Sequence, residues 1–420
     1  MNKIVVMGGQ QLCGEVLIGG SKNAALPLLF AGILTGEVCV FVGLPRVSDV
    51  LLALEILRAL GARIRFQGGG EVEINYRDMQ PRLPPSTLTA AIRGSVYLLG
   101  ALLGRFGRAQ LGTVGGCDFG TRPIDQHLLG FAAMGAVEST ANGVLSLAAE
   151  KGLTAADFTL KMPSVGATCN LLLAAVGATG TTVIRGAAAE PHVAALCDFL
   201  VAAGAKIEGQ GSDTLTVVGG TPLHGCRFTV IPDMIEAGTY LAMAMATGGR
   251  VSALGVQPSH LEAPLAIFRR MGATVAVEAE AVTLHAPPCY RSVAITTGPY
   301  PAFPTDLHPQ IAALFAIGDR AEGQGSVTEC VWESRFRYLT ELQKMGAASE
   351  VLGATATITP VPLHAATMRA PDLRGGAALL IAALSQKGQS EITNAALLRR
   401  GYEHLEAKLQ SLGAAVRVLG

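Results

Sequence analysis

Aromatic side chains are scarce: Phe, Tyr and Trp make up 5% of the 420 residues, and Trp occurs once. Charge is scarce too. Charged residues are 15% of the chain, against about 25% in an average soluble domain. The 32 basic and 32 acidic side chains cancel to a formal net charge of zero. That balance argues against a nucleic-acid binder, which carries a basic patch, and against a disordered chain, which carries high net charge and few apolar residues. Apolar runs such as Ala24 to Leu34 and Leu171 to Ala175 stop well short of the roughly 18–20 residues of a membrane-spanning helix, so no membrane partner is expected. The start, MNKIVVMGGQQ, lacks the apolar region of a signal peptide. The eight Cys (13, 39, 117, 169, 197, 226, 289 and 330) form no CxxC pair, and no His cluster has zinc-ligand spacing. Scattered Cys without a signal segment predict a reduced, cytoplasmic setting.

Apolar residues, by contrast, reach 50%, and Gly alone numbers 51. Such a chain builds large aliphatic cores with closely approaching backbones. It also repeats itself. A helix-like stretch ending in Leu-Gly-Ala or a near variant, then β-type residues, recurs six times: ILRALGARI, FAAMGAVE, FLVAAGAKI, IFRRMGATV, ELQKMGAAS and KLQSLGAAV. The Gly-Ala pairs begin at Gly61, Gly135, Gly204, Gly272, Gly346 and Gly413, spaced by 74, 69, 68, 74 and 67 residues. Gly just past a helix end is the favoured stop, so each copy predicts helix, tight stop, strand.

A second element keeps the same register. Six strongly apolar stretches open with polar residues and run into a β segment, the first being SKNAALPLLFAGILTGEVCV and the last DLRGGAALLIAALSQKGQSEI. A helix apolar on every side must be buried. Each unit is therefore an α/β module with one buried helix, one amphipathic surface helix and several short strands. Six modules divide most simply as three plus three, with a join near residue 230. The polar helix starts are candidates for anion binding, or simply caps.

Five motifs then identify a resemblance: Gly20-Ser21-Lys22-Asn23-Ala24-Ala25-Leu26-Pro27, the run Gly115 to His127 (GGCDFGTRPIDQH), Pro301 to Asp306 (PAFPTD), Asp372-Leu373-Arg374 and Arg400-Gly401-Tyr402-Glu403. In this order and spacing, and with the six-fold unit, the chain resembles the enolpyruvyl transferases from end to end. The resemblance implies an α/β fold of two inside-out barrels, each of three βαβαββ repeats: an N-terminal domain over 22–230 and a C-terminal domain over 231–420 completed by residues 1–21. It implies transfer of the enolpyruvyl group of phosphoenolpyruvate to the 3-hydroxyl of UDP-N-acetylglucosamine, with release of phosphate. Those two small molecules are the expected partners. Neither metal nor organic cofactor is expected, and a monomer is.

The residues divide by role. Cys117 stands in a Gly-rich polar stretch with Arg122 nearby, a setting that lowers a thiol pKa toward neutrality, where a general acid works best. By resemblance Cys117 protonates the methylene carbon of phosphoenolpyruvate, and its presence implies sensitivity to the epoxide fosfomycin. Lys22, Arg93, Arg122 and Arg400 are the cations for a substrate bearing both phosphate and carboxylate, and Arg suits both groups. By resemblance Lys22, Arg122 and Arg400 face phosphoenolpyruvate and Asn23 contacts the sugar nucleotide. Asp306 is the implied acceptor for the hydroxyl proton, the alternative being an N-cap. Pro123, Ile124, Asp125 and Gln126, with Met162, Pro163, Ser164 and Val165, are the implied nucleotide contacts, and Val331 a sugar contact. His127 is of second rank. Glu190 and Glu236 are acidic positions of the family, and Arg374 is expected to support closure. Two departures stand out. Met162 replaces a usual Lys, at an expected cost of about 1–2 kcal/mol in nucleotide affinity. Arg399 replaces a usual Asp. Both fit ordinary drift, or a binding-only or altered-acceptor paralogue.

Overall fold

The computed structural model describes all residues except 1, 2, 113, 116–122, 334 and 420. The described residues form two units, one of residues 3–19 and 232–419, the other of residues 20–231.

Six helices form the interior: α1 (Lys22–Thr35), α2 (Leu98–Phe106), α3 (Val165–Gly177), α4 (Met234–Thr247), α5 (His308–Ala316) and α6 (Leu373–Ser385). The first three pack together in one unit and the last three in the other. In α1, Leu28, Leu29, Phe30 and Ile33 are fully buried though they point to different sides. At about 1.5–3 kcal/mol per large apolar side chain, burial of those four alone stabilises the fold by roughly 6–12 kcal/mol before chain entropy is counted.

Close approach explains the glycines of this layer. A Cβ on Gly100 would lie 2.1 Å from the carbonyl oxygen of Asn170, and one on Gly104 2.6 Å from that of Leu173. Both lie on α2 against α3, so any larger residue would force the helices apart.

Sheets enclose each bundle. In the first unit they are Val38–Val42 with Glu71–Asn75, Arg63–Phe66 and Arg227–Thr229; Gly180–Arg185 with Thr214–Gly219, Lys206–Glu208 and Asp157–Thr159; and Arg108–Leu111 with Val144–Ala148 and Val137–Ala141. Five main sheets of the molecule have a parallel edge strand beside antiparallel neighbours, and the Arg108–Leu111 sheet has three strands, all antiparallel. The segment before α2 is Pro81-Arg82-Leu83-Pro84-Pro85, and three prolines remove the N–H groups a ladder needs. In the second unit Lys3–Gly8 pairs with both Gly388–Thr393 and Ala415–Leu419, while Cys13–Leu17 pairs with Arg250–Leu254.

The six repeat glycines all adopt left-handed φ values, from 90° at Gly135 to 110° at Gly61. Each stops a surface helix and turns the chain into a strand, the conformation a side chain would resist. Arg93–Tyr97 is a 3-10 turn that runs into α2. One helix start differs from the sequence expectation. Asp306 lies in the turn before α5, whose cap is Leu307.

Candidate active site

In the unit of residues 20–231, Lys22 is the first residue of α1. Ser21 caps the helix by accepting from the Ala24 N–H at 3.4 Å. Lys22 Nζ lies 3.6 Å from Oδ2 of Asp49, a buried carboxylate in the first turn of the Ser48–Ala59 helix. Asp49 was not singled out by sequence, though an acid in a helix's first turn is a visible signal. Pro27, inside α1, lacks the N–H that would bond the Asn23 carbonyl. Asn23 is half-buried beside it.

The two predicted nucleotide segments come together. Asp125–Ala133 and α3 are neighbouring helices. Pro123 and Ile124 lead into the first, and Asp125 and Gln126 open it. Met162, Pro163 and Ser164 lead into α3, and Val165 is its first residue. The Met162 N–H donates to Gln126 Oε1 at 3.4 Å, and Ser164 Oγ accepts from Ala167 N–H. Pro123, Asp125, Met162 and Pro163 are exposed, with Met162 at 53%. Lys161, the preceding residue, is also exposed.

His127 holds the two helices together from inside. Asn170 Nδ2 stands 2.8 Å from His127 Nδ1 and donates to the Val96 carbonyl, while its Oδ1 accepts from Gly100 N–H. Burial lowers the imidazole pKa to about 4, and Arg93 adds to the effect. The ring is therefore neutral, accepts from Asn170 and carries its proton on Nε2. Above pH 6.5 it is neutral folded or unfolded. As pH falls from 6.5 toward 4, the unfolded chain takes a proton the folded chain refuses, and stability is lost in that window. His127→Gln is expected to show a flatter decline of Tm between pH 6.5 and 4; equal slopes would overturn this account.

In the other unit, Asp306 is gripped by two arginines. Arg335 Nη2 donates to Oδ1 at 2.6 Å. Arg374 Nε donates to Oδ2 at 3.3 Å, with Nη2 at 3.2 Å from the same oxygen. Both arginines are buried, whereas the Asp306 side chain is 26% exposed. Arg374 lies in the first turn of α6, fixed by Asp372, whose Oδ1 accepts from the Arg374 and Gly375 N–H groups. Its guanidinium stacks over Tyr402, 5.4 Å from the ring centre. Burial disfavours its charge, but Tyr402 and Asp306 more than offset this and its pKa is raised. Its Nη1 and Nη2 are buried and donate no hydrogen bond among the described residues. Arg335 was missed by sequence reasoning; it closes the stretch VWESR that begins at Val331.

Val331 sits in a turn whose N–H groups, at Val331 and Trp332, donate to Glu329 Oε1 at 2.7 and 3.0 Å. Arg400 ends a 3-10 turn, Ala395–Arg400, and is half-buried; Arg399 beside it is exposed. Glu236, buried in α4, accepts from Lys408 Nζ at 2.7 Å and Gly19 N–H at 2.8 Å. Burial raises its carboxyl pKa against the pull of Lys408. Glu190 caps the Pro191–Ala202 helix position without a side-chain cap bond. Cys117 and Arg122 lie outside the described residues.

Four buried helices carry side-chain caps, at Ser21, Ser164, Asp233 and Asp372. The polar helix starts are thus caps in these four cases. No group of His, Cys, Asp and Glu suited to hold a metal occurs among the described residues. No helix among them is long and apolar enough to cross a membrane.

Known proteins with this arrangement exist. UDP-N-acetylglucosamine 1-carboxyvinyltransferase 3 of Caldanaerobacter subterraneus subsp. tengcongensis is 43% identical over 415 residues, 99% of this chain and 98% of its own. UDP-N-acetylglucosamine 1-carboxyvinyltransferase 1 of Streptococcus agalactiae is 41% identical over the full length of both. Among solved structures, the enolpyruvyl transferase NikO from Streptomyces tendae superposes with a TM-score of 0.90 at 28% identity, covering 99% of each chain. EPSP synthase from Acinetobacter baumannii, at 19% identity and TM-score 0.74, shares the fold. The profile of one family matches residues 6–409. Matched by this family's profile and alike in sequence over nearly its whole length to these relatives, the chain belongs to the EPSP synthase (3-phosphoshikimate 1-carboxyvinyltransferase) family.

Proposed function

We propose that this chain transfers the enolpyruvyl group of phosphoenolpyruvate to the 3-hydroxyl of UDP-N-acetylglucosamine and releases phosphate, the first committed step of peptidoglycan synthesis. The naming of full-length relatives at 41–43% identity supports the acceptor. One observation carries the chemistry: Arg374 Nη1 is buried and makes no hydrogen bond among the described residues, while Nη2 is held by its 3.2 Å ion pair with Asp306. A buried donor left unsatisfied is costly, and a carboxylate oxygen of phosphoenolpyruvate would satisfy it with a charge-assisted hydrogen bond.

In this reading Asp306 accepts a hydrogen bond from the attacking hydroxyl. The acceptor oxygen adds to C2 of phosphoenolpyruvate while Cys117 gives a proton to C3. Loss of a C3 proton then expels phosphate and restores the double bond. Lys22, Arg122 and Arg400 bind the phosphate and stabilise its departure. Asn23, Arg93, Pro123 to Gln126, Met162 to Val165 and Val331 bind the sugar nucleotide. The two domains are 22–230 and 1–21 with 231–420, supported by the contact division at residues 20 and 231. The protein acts as a monomer in the cytoplasm, where both substrates are made.

Phosphate release from phosphoenolpyruvate, with UDP-N-acetylglucosamine and 3-phosphoshikimate offered separately, tests the reading. Release with the first alone is expected; release with the second alone, or with neither, overturns it. Met162→Lys tests the altered nucleotide segment. It is expected to tighten UDP-N-acetylglucosamine by about 5- to 30-fold, the equivalent of one charged hydrogen bond. An unchanged KM would mean that Lys161, exposed one position earlier, already supplies the cation.

A further inference from the structure

We infer that Glu329 is a positioning residue for this reaction, acting through Thr305 and Arg335 on Asp306; this rests on the proposed enolpyruvyl transfer.

Glu329 is fully buried, and its two oxygens serve different segments. Oε1 accepts from the Val331 and Trp332 N–H groups and so shapes the turn that carries Val331. Oε2 accepts from the Thr305 hydroxyl at 2.7 Å and stands 3.2 Å from His308 Nε2. Thr305 Oγ1 in turn accepts from Arg335 Nη1 at 2.8 Å, and Arg335 Nη2 donates to Asp306 at 2.6 Å. The direction of this relay is set by chemistry. A guanidinium can only donate and a carboxylate can only accept, so the Thr305 hydroxyl must point its proton at Glu329 and its lone pair at Arg335. One rotamer of Arg335 satisfies both Thr305 and Asp306.

His308 secures the far side. It is fully buried at the start of α5, with Nδ1 3.3 Å from the Tyr338 hydroxyl. Burial, helped by Arg335, lowers its pKa well below the usual value. A neutral ring with Nε2–H toward Glu329 and Nδ1 accepting from Tyr338 fits both neighbours. Glu329 thus accepts hydrogen bonds from Val331, Trp332 and Thr305, with the His308 ring beside Oε2. A carboxylate so enclosed has one function left, to hold the arginine and the turn in register.

The test uses Glu329→Gln, Thr305→Val and Thr305→Ser in the full chain. Gln keeps the shape but must turn an NH2 toward one of two sets of donors. Val keeps the shape of Thr and deletes the relay; Ser restores it. Expected are kcat values about 10- to 100-fold lower for Glu329→Gln and Thr305→Val, the scale of a misplacement of roughly 1 Å. KM for both substrates should stay within about threefold, and Thr305→Ser should recover most of kcat. Rates are taken on whichever acceptor the wild type turns over, so the choice of acceptor is judged by the wild type and the inference by the ratio. A kcat within threefold of wild type for folded Thr305→Val overturns the inference, as does a loss confined to KM. If Glu329→Gln fails to fold, the Val and Ser pair decides.

Discussion

Asp306→Asn is expected to lower kcat by about 10²- to 10⁴-fold, the range of a lost general base, while KM for phosphoenolpyruvate changes little. Asn keeps an oxygen for one arginine but brings an NH2 toward the other, and it cannot take a proton. Two buried guanidinium groups hold Asp306 on separate oxygens. That grip leaves 26% of the Asp306 side chain accessible. Steady-state kinetics with both substrates varied would read the result. A variant that raises KM for phosphoenolpyruvate with kcat intact would assign Asp306 to binding and remove it from proton transfer.

Cys117→Ala is expected to reduce turnover by 10²-fold or more, again the scale of a general acid, and to leave the protein indifferent to fosfomycin. A second thiol could confuse the labelling that accompanies such a test. A hydrogen bond from Cys226 lowers the pKa of Cys39 to about 7. Cys39 lies on the strand Val38–Val42 and Cys226 immediately precedes the strand Arg227–Thr229, where Val40 N–H donates to the Cys226 carbonyl. Cys39 is buried against Thr35, so protection of Cys117 by phosphoenolpyruvate, with Cys39 and Cys226 unaffected, is the expected pattern in a peptide-resolved alkylation experiment. Full activity of Cys117→Ala would end the general-acid assignment.

Much of the fold is legible in the sequence. The repeat glycines mark helix stops because a left-handed φ is needed there and Gly alone adopts it without strain. The six apolar helices mark the two interiors because no other place exists for a helix without a polar face. Both signals are local, carried by a dozen neighbouring residues.

What tertiary structure decided was pairing. Asp306 meets Arg335 and Arg374 across 29 and 68 residues of chain. Lys22 meets Asp49, and His127 meets Asn170, only because helices pack in one particular order. Local pattern carries no information about which carboxylate faces which cation, since every charge on a helix start looks like a cap or a solvated side chain. The motifs named Lys22, Asp306 and Arg374, yet Asp49, Arg335 and Glu329 stayed hidden among ordinary polar positions. Sequence therefore determined the modules, their number and the family. Three-dimensional packing determined which charges are buried together, and with them where a base, a cation and a relay can act on one another.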